Sequence, residues 1–253
     1  MTTDVWKGVS AAGVSWSYDA EASVVSDDTP TLAQPSIPVY AARGFIPYSI
    51  EVGADYPGFA DEMSKLLSQG FTDLLAVGTC TATGTAQPRG VFASATSNPT
   101  HTLVTTAGSI AGVDLRKHWA AVPERFRKNA THLVSTANDA VIRGLGNNLA
   151  MSDYSVNLLA DGTSTLFGRP VVISDYAPTF TSTTGGLANQ AILTGDFGTG
   201  FVVVQRAGMT VELVQHLFDT TTGRPTGQRG WFAYARHGYD YVNVNAFRVL
   251  ANA

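Results

Sequence analysis

Hydrophobic positions along this chain recur at two periods, and the switches between them outline its elements. Residues Val14 to Ala22, VSWSYDAEA, alternate bulky and polar side chains at the period of two that predicts a strand with one covered face. SDDTPTLAQPSIP follows, with three prolines and two aspartates, and then a second extended segment, IPVYAARGFIPYSIEVG. Together these predict a long hairpin or projecting loop, whose prolines remove backbone donors and blunt the strand edges. From Tyr56 to Val77 the period becomes helical: Phe59, Met63, Leu66, Leu67, Phe71, Leu74 and Leu75 form one stripe, with Asp61, Glu62, Lys65, Ser68, Gln69 and Asp73 mostly opposite. Asp55 is placed to cap this helix, Pro57 to sit in its first turn and Gly78 to stop it in a left-handed conformation. At 1.5 Å per residue the rod is roughly 33 Å long.

Downstream, IAGVDLRKHWAAVPERFRKNA predicts a helix interrupted near Pro123, THLVS a buried strand, and NDAVIRGLGNN a short helix starting near Asn138 or Asp139. LFGRPVVISDYAP reads as strand with turn punctuation, and NQAILTGDFGTGFVVVQRAGMTVELV as two or three strands divided at Gly198 to Gly200 and at Gly208. RGWFAYARHGYDYVNVNAFRVLANA is a long aromatic strand candidate. Helices mixed with mainly antiparallel strands make the fold class α+β, with no internal repeat and no linker between independent domains.

Composition sharpens this picture. The 253 residues are 44% hydrophobic, enough for a real core, yet only 14% are charged, so much of the surface is neutral and suited to being covered by partners. A net charge of −4 gives no groove that tracks phosphates, which argues against direct nucleic-acid binding. The single cysteine, Cys80, excludes an internal disulfide framework and a cysteine-only metal site. No apolar run approaches the roughly 20 residues that span a bilayer, and MTTDVWKGVS lacks the regions of a signal peptide, so no membrane role is expected.

Candidate chemistry is thin. GTCTATGTAQPRGVF, Gly78 to Phe92, looks like a phosphate-cradling loop, but a helix precedes it and QPRG closes it, whereas a P-loop follows a strand and ends in Lys and Ser or Thr. It reads as a structural turn. GDFGTG contains an Asp-Phe-Gly triplet without the partner motifs of a kinase, so Asp196 and Gly198 are expected to shape a turn. His101, His118, His132, His216 and His237 show no ligand spacing. Arg116, Lys117, Arg125, Arg127 and Lys128 cluster, but Glu124 dilutes them and helical spacing spreads them around an axis, as on a solvated helix. Trp231, Phe232, Tyr234, Tyr239, Tyr241 and Phe247 read as the two faces of a long strand, one face buried and the other available to a neighbour. No catalytic, cofactor-binding or metal residues are expected.

The order of these features resembles the major capsid proteins of tailed bacteriophages, the Hong Kong ninety-seven phage fold. The resemblance rests on the proline-rich hairpin, GFIPYSIEVGADYPGFADEMSKLL running into a long helix, the GTGTAQPRGVF exit, LFGRPVVISDYAP, ILTGDFGTGFVVVQRAGMTVEL and the Arg-aromatic terminal strand, from about Val14 to Leu250. It implies an N-terminal remnant and E-loop in residues 1–42, with the loop itself near Ser10 to Tyr40. It further implies a P-domain with its spine helix in 43–107, a mixed α/β A-domain in 108–199, and P-domain strands returning to the A-domain in 200–253. The implied function is a non-catalytic shell subunit that self-assembles into hexamers and pentamers of an icosahedral head around double-stranded DNA, without specific DNA binding. Portal protein and scaffold or decoration proteins are the other implied partners; assembly is in the host cytoplasm and the final location is the virion. Trp16, Tyr18, Val24, Val25, Thr31 and Leu32 are the candidate subunit-contact residues, from their place on the hairpin.

Two departures from the family pattern matter. Few residues precede the E-loop, where relatives carry an N-terminal arm, so a processed or trimmed start is expected. Some relatives also weld subunits through an isopeptide bond between a Lys in the E-loop and an Asn of a neighbour, with a Glu nearby to take a proton. Here no Lys lies between Ser10 and Ala42 and no Glu between Gln228 and Arg236, which predicts no crosslinking. Boiled particles should run on a denaturing gel as one monomer band; a covalent ladder would refute this. The rival readings are an encapsulin-like compartment shell, which shares the fold, and a hydrolase or glycan-binding module using carboxylates such as Asp175 and Asp196.

Overall fold

The computed structural model describes residues 4–11, 16, 18, 21, 32–96, 101–146, 156–158, 164–181 and 189–252. Near the N-terminus, β1 (Val5–Lys7) and β2 (Ser10–Ala11) are followed by β3 (Leu32–Ala33), β4 (Ser36–Pro38) and β5 (Tyr40–Ser49). Next come the helices α1 (Ile50–Asp55), α2 (Phe59–Thr81) and α3 (Val91–Thr96), then β6 (His101–Leu103), α4 (Gly112–Ala121) and α5 (Glu124–Arg127). The middle of the chain forms β7 (Thr131–Val134), α6 (Thr136–Gly146), β8 (Val156–Leu158), β9 (Ser164–Leu166), β10 (Arg169–Ile173) and β11 (Gln190–Gly195). Finally α7 (Phe197–Gly200) leads into β12 (Phe201–Val214), β13 (Gln228–Tyr241), a 3-10 turn at Val244–Ala246 and β14 (Phe247–Ala251).

Two sheets organise these elements. A seven-stranded sheet runs β6-β14-β11-β7-β10-β9-β8, and an antiparallel three-stranded sheet runs β12-β13-β5. The first sheet is mainly antiparallel, as expected, but β6 with β14 and β10 with β7 are parallel pairs. Every residue of β11 is buried, and its sequence, QAILTG, accordingly shows no strict alternation of apolar and polar positions. Leu193 contributes to a core with Cys80, Val91, Phe92, Leu133, Phe247 and Val249, whereas its neighbour Ile192 joins Leu115, Val134, Ile142, Leu166 and Leu250. Successive residues of one strand thus fill cores on opposite sides of the sheet.

The long helix exists, but with ends different from those the sequence predicts. Asp55 closes α1 instead of capping α2; Pro57 and Gly58 separate the two helices, and Gly58, at φ 82°, stands at the N-cap of α2. Gly78 does not stop the helix, which continues to Thr81, about 35 Å in all. Gly78 is small because the Tyr239 hydroxyl lies where its side chain would be. Gly208 likewise does not divide β12, which passes it through register shifts between Gln205 and Thr210. The terminal aromatic segment, in turn, is two strands in two sheets, split where Asn243 caps the 3-10 turn through its side chain.

Candidate assembly surfaces

The base of the N-terminal hairpin is built from short ladders. Trp6 pairs with Ile37 and Lys7 with Ser36, and further out Ser10 pairs with Ala33 and Ala11 with Leu32. Ile37, Val39 and Val204 are buried together beneath it, with Trp6, Val202 and Val242 packed against them. Asp4 adds an electrostatic clamp, its carboxylate bonding both Arg206 of β12 and Arg236 of β13. Gly238 completes the seat, because a Cβ there would overlap the Pro38 carbonyl. Gly238→Ala is therefore expected to lift β4 from β13, costing about 1–3 kcal/mol and speeding proteolysis near the N-terminus; an unchanged melting temperature and cleavage pattern would refute the seat.

Of the candidate contact residues, three can be placed. Trp16 is 93% exposed, Tyr18 is fully exposed, and Leu32, at the hairpin's paired end in β3, is 66% exposed. Val24, Val25 and Thr31 lie outside the described residues, as does most of the strand expected at Val14 to Ala22. Neither the Asp4 clamp nor the Gly238 seat is evident from the sequence. Gly238 had a signal, an isolated glycine inside an aromatic strand, which marks close backbone approach.

The second surface lies along α2. Its stripe is only half covered: Leu67 is buried and Phe71 meets His237 edge-on at 5.8 Å, while Leu66 and Leu74 remain exposed. Between α2 and the three-stranded sheet is an apolar cavity of about 240 Å³, lined by residues including Leu66, Gly70, Phe71, Leu74, Met209 and Ala235. Beyond it, Tyr239 is pushed up to about 12 by burial, with the Cys80 thiol adding a smaller effect, so the phenol stays neutral.

The residues weighed for chemistry have structural work. In the Gly78–Phe92 stretch, Thr83 bridges Arg89, and the Gly90 amide donates to the Ala82 carbonyl at 2.7 Å, closing a tight turn between α2 and α3. Asp196 caps α7 by accepting from the Gly198 and Thr199 amides, and Asp175 accepts from the Thr136 hydroxyl. Arg127 donates to the Val122 and Ala120 carbonyls and Arg125 stacks over Phe126, so the basic cluster is partly engaged with its own chain. Among the described residues no group of three or more His, Cys, Asp or Glu side chains is arranged to hold a metal ion, and no helix is long and apolar enough to cross a membrane.

A clamped hairpin, a long helix across a three-stranded sheet, and a second mixed sheet define a shell-forming subunit of the Hong Kong ninety-seven type. The chain belongs to the phage capsid family, whose model matches residues 2–252. Among solved structures, the capsid of a native GTA particle is similar at TM-score 0.78 and 19% identity, covering 100% of this chain and 86% of that one. Chains of Microbacterium phage Oxtober96 and Gordonia phage Cozz are similar at TM-scores of 0.70 and 0.65 with 15% and 14% identity; each covers 100% of this chain, with 88% and 82% of the respective partner covered. No curated protein matches the sequence. The protein is a structural component of a phage head, not an enzyme, and its place is the capsid of the virion, a shell made from copies of itself.

Proposed function

We propose that the chain forms hexamers and pentamers of an icosahedral head, and that its projecting hairpin reaches over the adjacent subunit. The observation that carries this is the contrast within the hairpin: its base is fixed by Asp4, Ile37 and Gly238, while Trp16 and Leu32 further out are exposed. Large apolar side chains held outward on an anchored support gain stability only when another molecule covers them. At roughly 25 cal/mol per Å² of apolar surface, covering one tryptophan supplies a few kcal/mol per contact, multiplied around a closed ring.

In this reading residues 1–42 supply the remnant and E-loop, 43–107 the spine-helix part of the P-domain, 108–199 the A-domain around the capsomer axis, and 200–253 the returning strands. The pairing of β5 with β13 joins the first two parts to the last, which suits a unit that resists shear. A related GTA capsid is described with C5 symmetry, in keeping with rings of five. Double-stranded DNA is enclosed without sequence-specific contact, assembly occurs in the host cytoplasm, and portal, scaffold or decoration proteins complete the head. Electron microscopy of concentrated protein tests the proposal: rings or closed particles are expected, and a field of monomers at every concentration would overturn it.

A further inference from the structure

We propose that a buried chain of side chains, Thr102, His118, Thr194 and His132, is an acid-released fastening that holds α4 and the β9 turn onto the seven-stranded sheet. The four residues come from β6, α4, β11 and β7, and the chain ends on the Leu166 carbonyl of β9. The links are 2.7 Å from Thr102 Oγ1 to His118 Nδ1, 2.8 Å from His118 Nε2 to Thr194 Oγ1, 2.7 Å from Thr194 Oγ1 to His132 Nδ1, and 3.0 Å from His132 Nε2 to the Leu166 oxygen. His118, Thr194 and His132 are all buried.

With both rings neutral, as burial demands, hydrogen-bonding roles order the protons along this chain. A carbonyl only accepts, so His132 carries its hydrogen on Nε2 and, being neutral, accepts at Nδ1 from the Thr194 hydroxyl. The Thr194 oxygen then accepts from His118 Nε2, and His118 Nδ1 accepts from Thr102. In this arrangement all four hydrogens point the same way.

An added proton breaks the order differently at each ring. On His132 it turns Nδ1 into a donor facing a hydroxyl that already donates to it, so the Thr194 hydrogen loses its acceptor in a buried site. On His118 the geometry can adjust, because Thr102 Oγ1 also lies 3.2 Å from the Val249 carbonyl and can turn its hydrogen there. The charge, however, is then enclosed. Charged groups acting on the rings are cationic: Arg248 of β14 on His118 and Arg169 of β10 on His132. The nearby carboxylates are committed elsewhere: Asp114 of α4 accepts from the Thr105 and Ala111 amides, Asp196 after β11 caps α7, and Asp139 of α6 pairs with Arg143.

Burial, then His132 and Arg248, bring His118 down to about 3. Burial, together with Arg169, brings His132 down to about 4 against the opposing pull of its bond to Leu166. Both lie below the ordinary histidine value near 6.5, so the unfolded chain binds more protons than the folded one below about that pH. The stabilisation is complete above pH 6.5 and is lost as the pH falls towards 4 and then 3; each histidine lowers the folding constant by up to about tenfold per pH unit in this window.

A strained joint lies where the fastening ends. Phe167, next to Leu166, holds a left-handed φ of 52° that a bulky residue rarely adopts, and Trp119, next to His118, stacks on its ring at 6.0 Å and 13°. Loss of the His118 and His132 bonds frees both sides of that stack, so α4 and the β9 turn are the segments expected to open first.

The test follows imidazole 15N resonances and amide hydrogen exchange of the protein, corrected for intrinsic rates, from pH 7.5 to 4.5. Expected are two neutral rings protonated at Nε2 that stay neutral below pH 5. At pH 4.5, protection over residues 112–121 and 164–166 should fall at least tenfold while the β5 and β13 pairing is retained. His132→Gln can donate to Leu166 and accept from Thr194 without titrating, and should lower the pH of opening by about one unit. The proposal is overturned if either ring titrates near 6.5, if α4 and β9 keep their protection, or if the folded glutamine variant opens at the wild-type pH. Should that variant not fold, the wild-type titration and exchange decide alone.

Discussion

A variant in which residues 12–31 are replaced by a two-residue Asn-Gly turn is expected to fold as a monomer and to form no rings or shells. The register makes the junction feasible: Ala11 pairs with Leu32 and Ser10 with Ala33, so a short turn can close the ladder. The cluster that seats the hairpin base, Ile37, Val39 and Val204 with Trp6, Val202 and Val242, is retained in full. The melting temperature should thus stay within a few degrees of the parent while sedimentation reports a single small species where the parent gives particles. Normal particles from the shortened chain would refute the role assigned to the hairpin.

The largest expected loss of stability comes from Phe247→Ala. Phe247 is 2% exposed and stands where three parts of the chain meet, with ring centroids 4.7 Å from Tyr241 and 5.1 Å from Phe197. Gly195 and Gly200 approach so closely that a Cβ on either would collide with the Phe247 ring. Truncation therefore leaves a cavity walled by backbone, which collapses poorly, and the expected cost is about 3–5 kcal/mol. Against a total of roughly 5–15 kcal/mol that is a large fraction. Denaturant titration should show a lower midpoint at unchanged slope; a midpoint within error of the parent would mean that Phe247 does not hold these parts together.

Much of the fold was readable because its elements carry strong local patterns. The stripe from Phe59 to Leu75, the buried strand at β7 and the break at Pro123 all follow from side-chain period and proline geometry. What failed was punctuation by glycine. Gly78 and Gly208 look like breaks in the sequence, but one yields room to Tyr239 and the other sits in a strand that shifts register, and sequence does not separate these uses. The break between β13 and β14 was hidden because aromatic alternation continues through Tyr241 and resumes at Phe247. The buried chain was out of reach for another reason: His118, His132 and Thr194 are distant in sequence, and only their presence inside apolar segments hints at burial. Trp16, Tyr18 and Leu32 are exposed, but a contact between copies cannot be seen in one chain.

The passage from β13 to β14 has a mechanical consequence. Strand β13 is zipped to β5 from Gln228 opposite Ser49 to His237 opposite Tyr40, and after a short 3-10 turn the same backbone becomes β14, bonded on both sides within the other sheet. Tension applied to the arm leading into β5 loads many interstrand hydrogen bonds in parallel and then runs along covalent backbone into the interior of the larger sheet. Internal pressure on a shell would thus meet a continuous rail, where a soft hinge would tear one bond at a time.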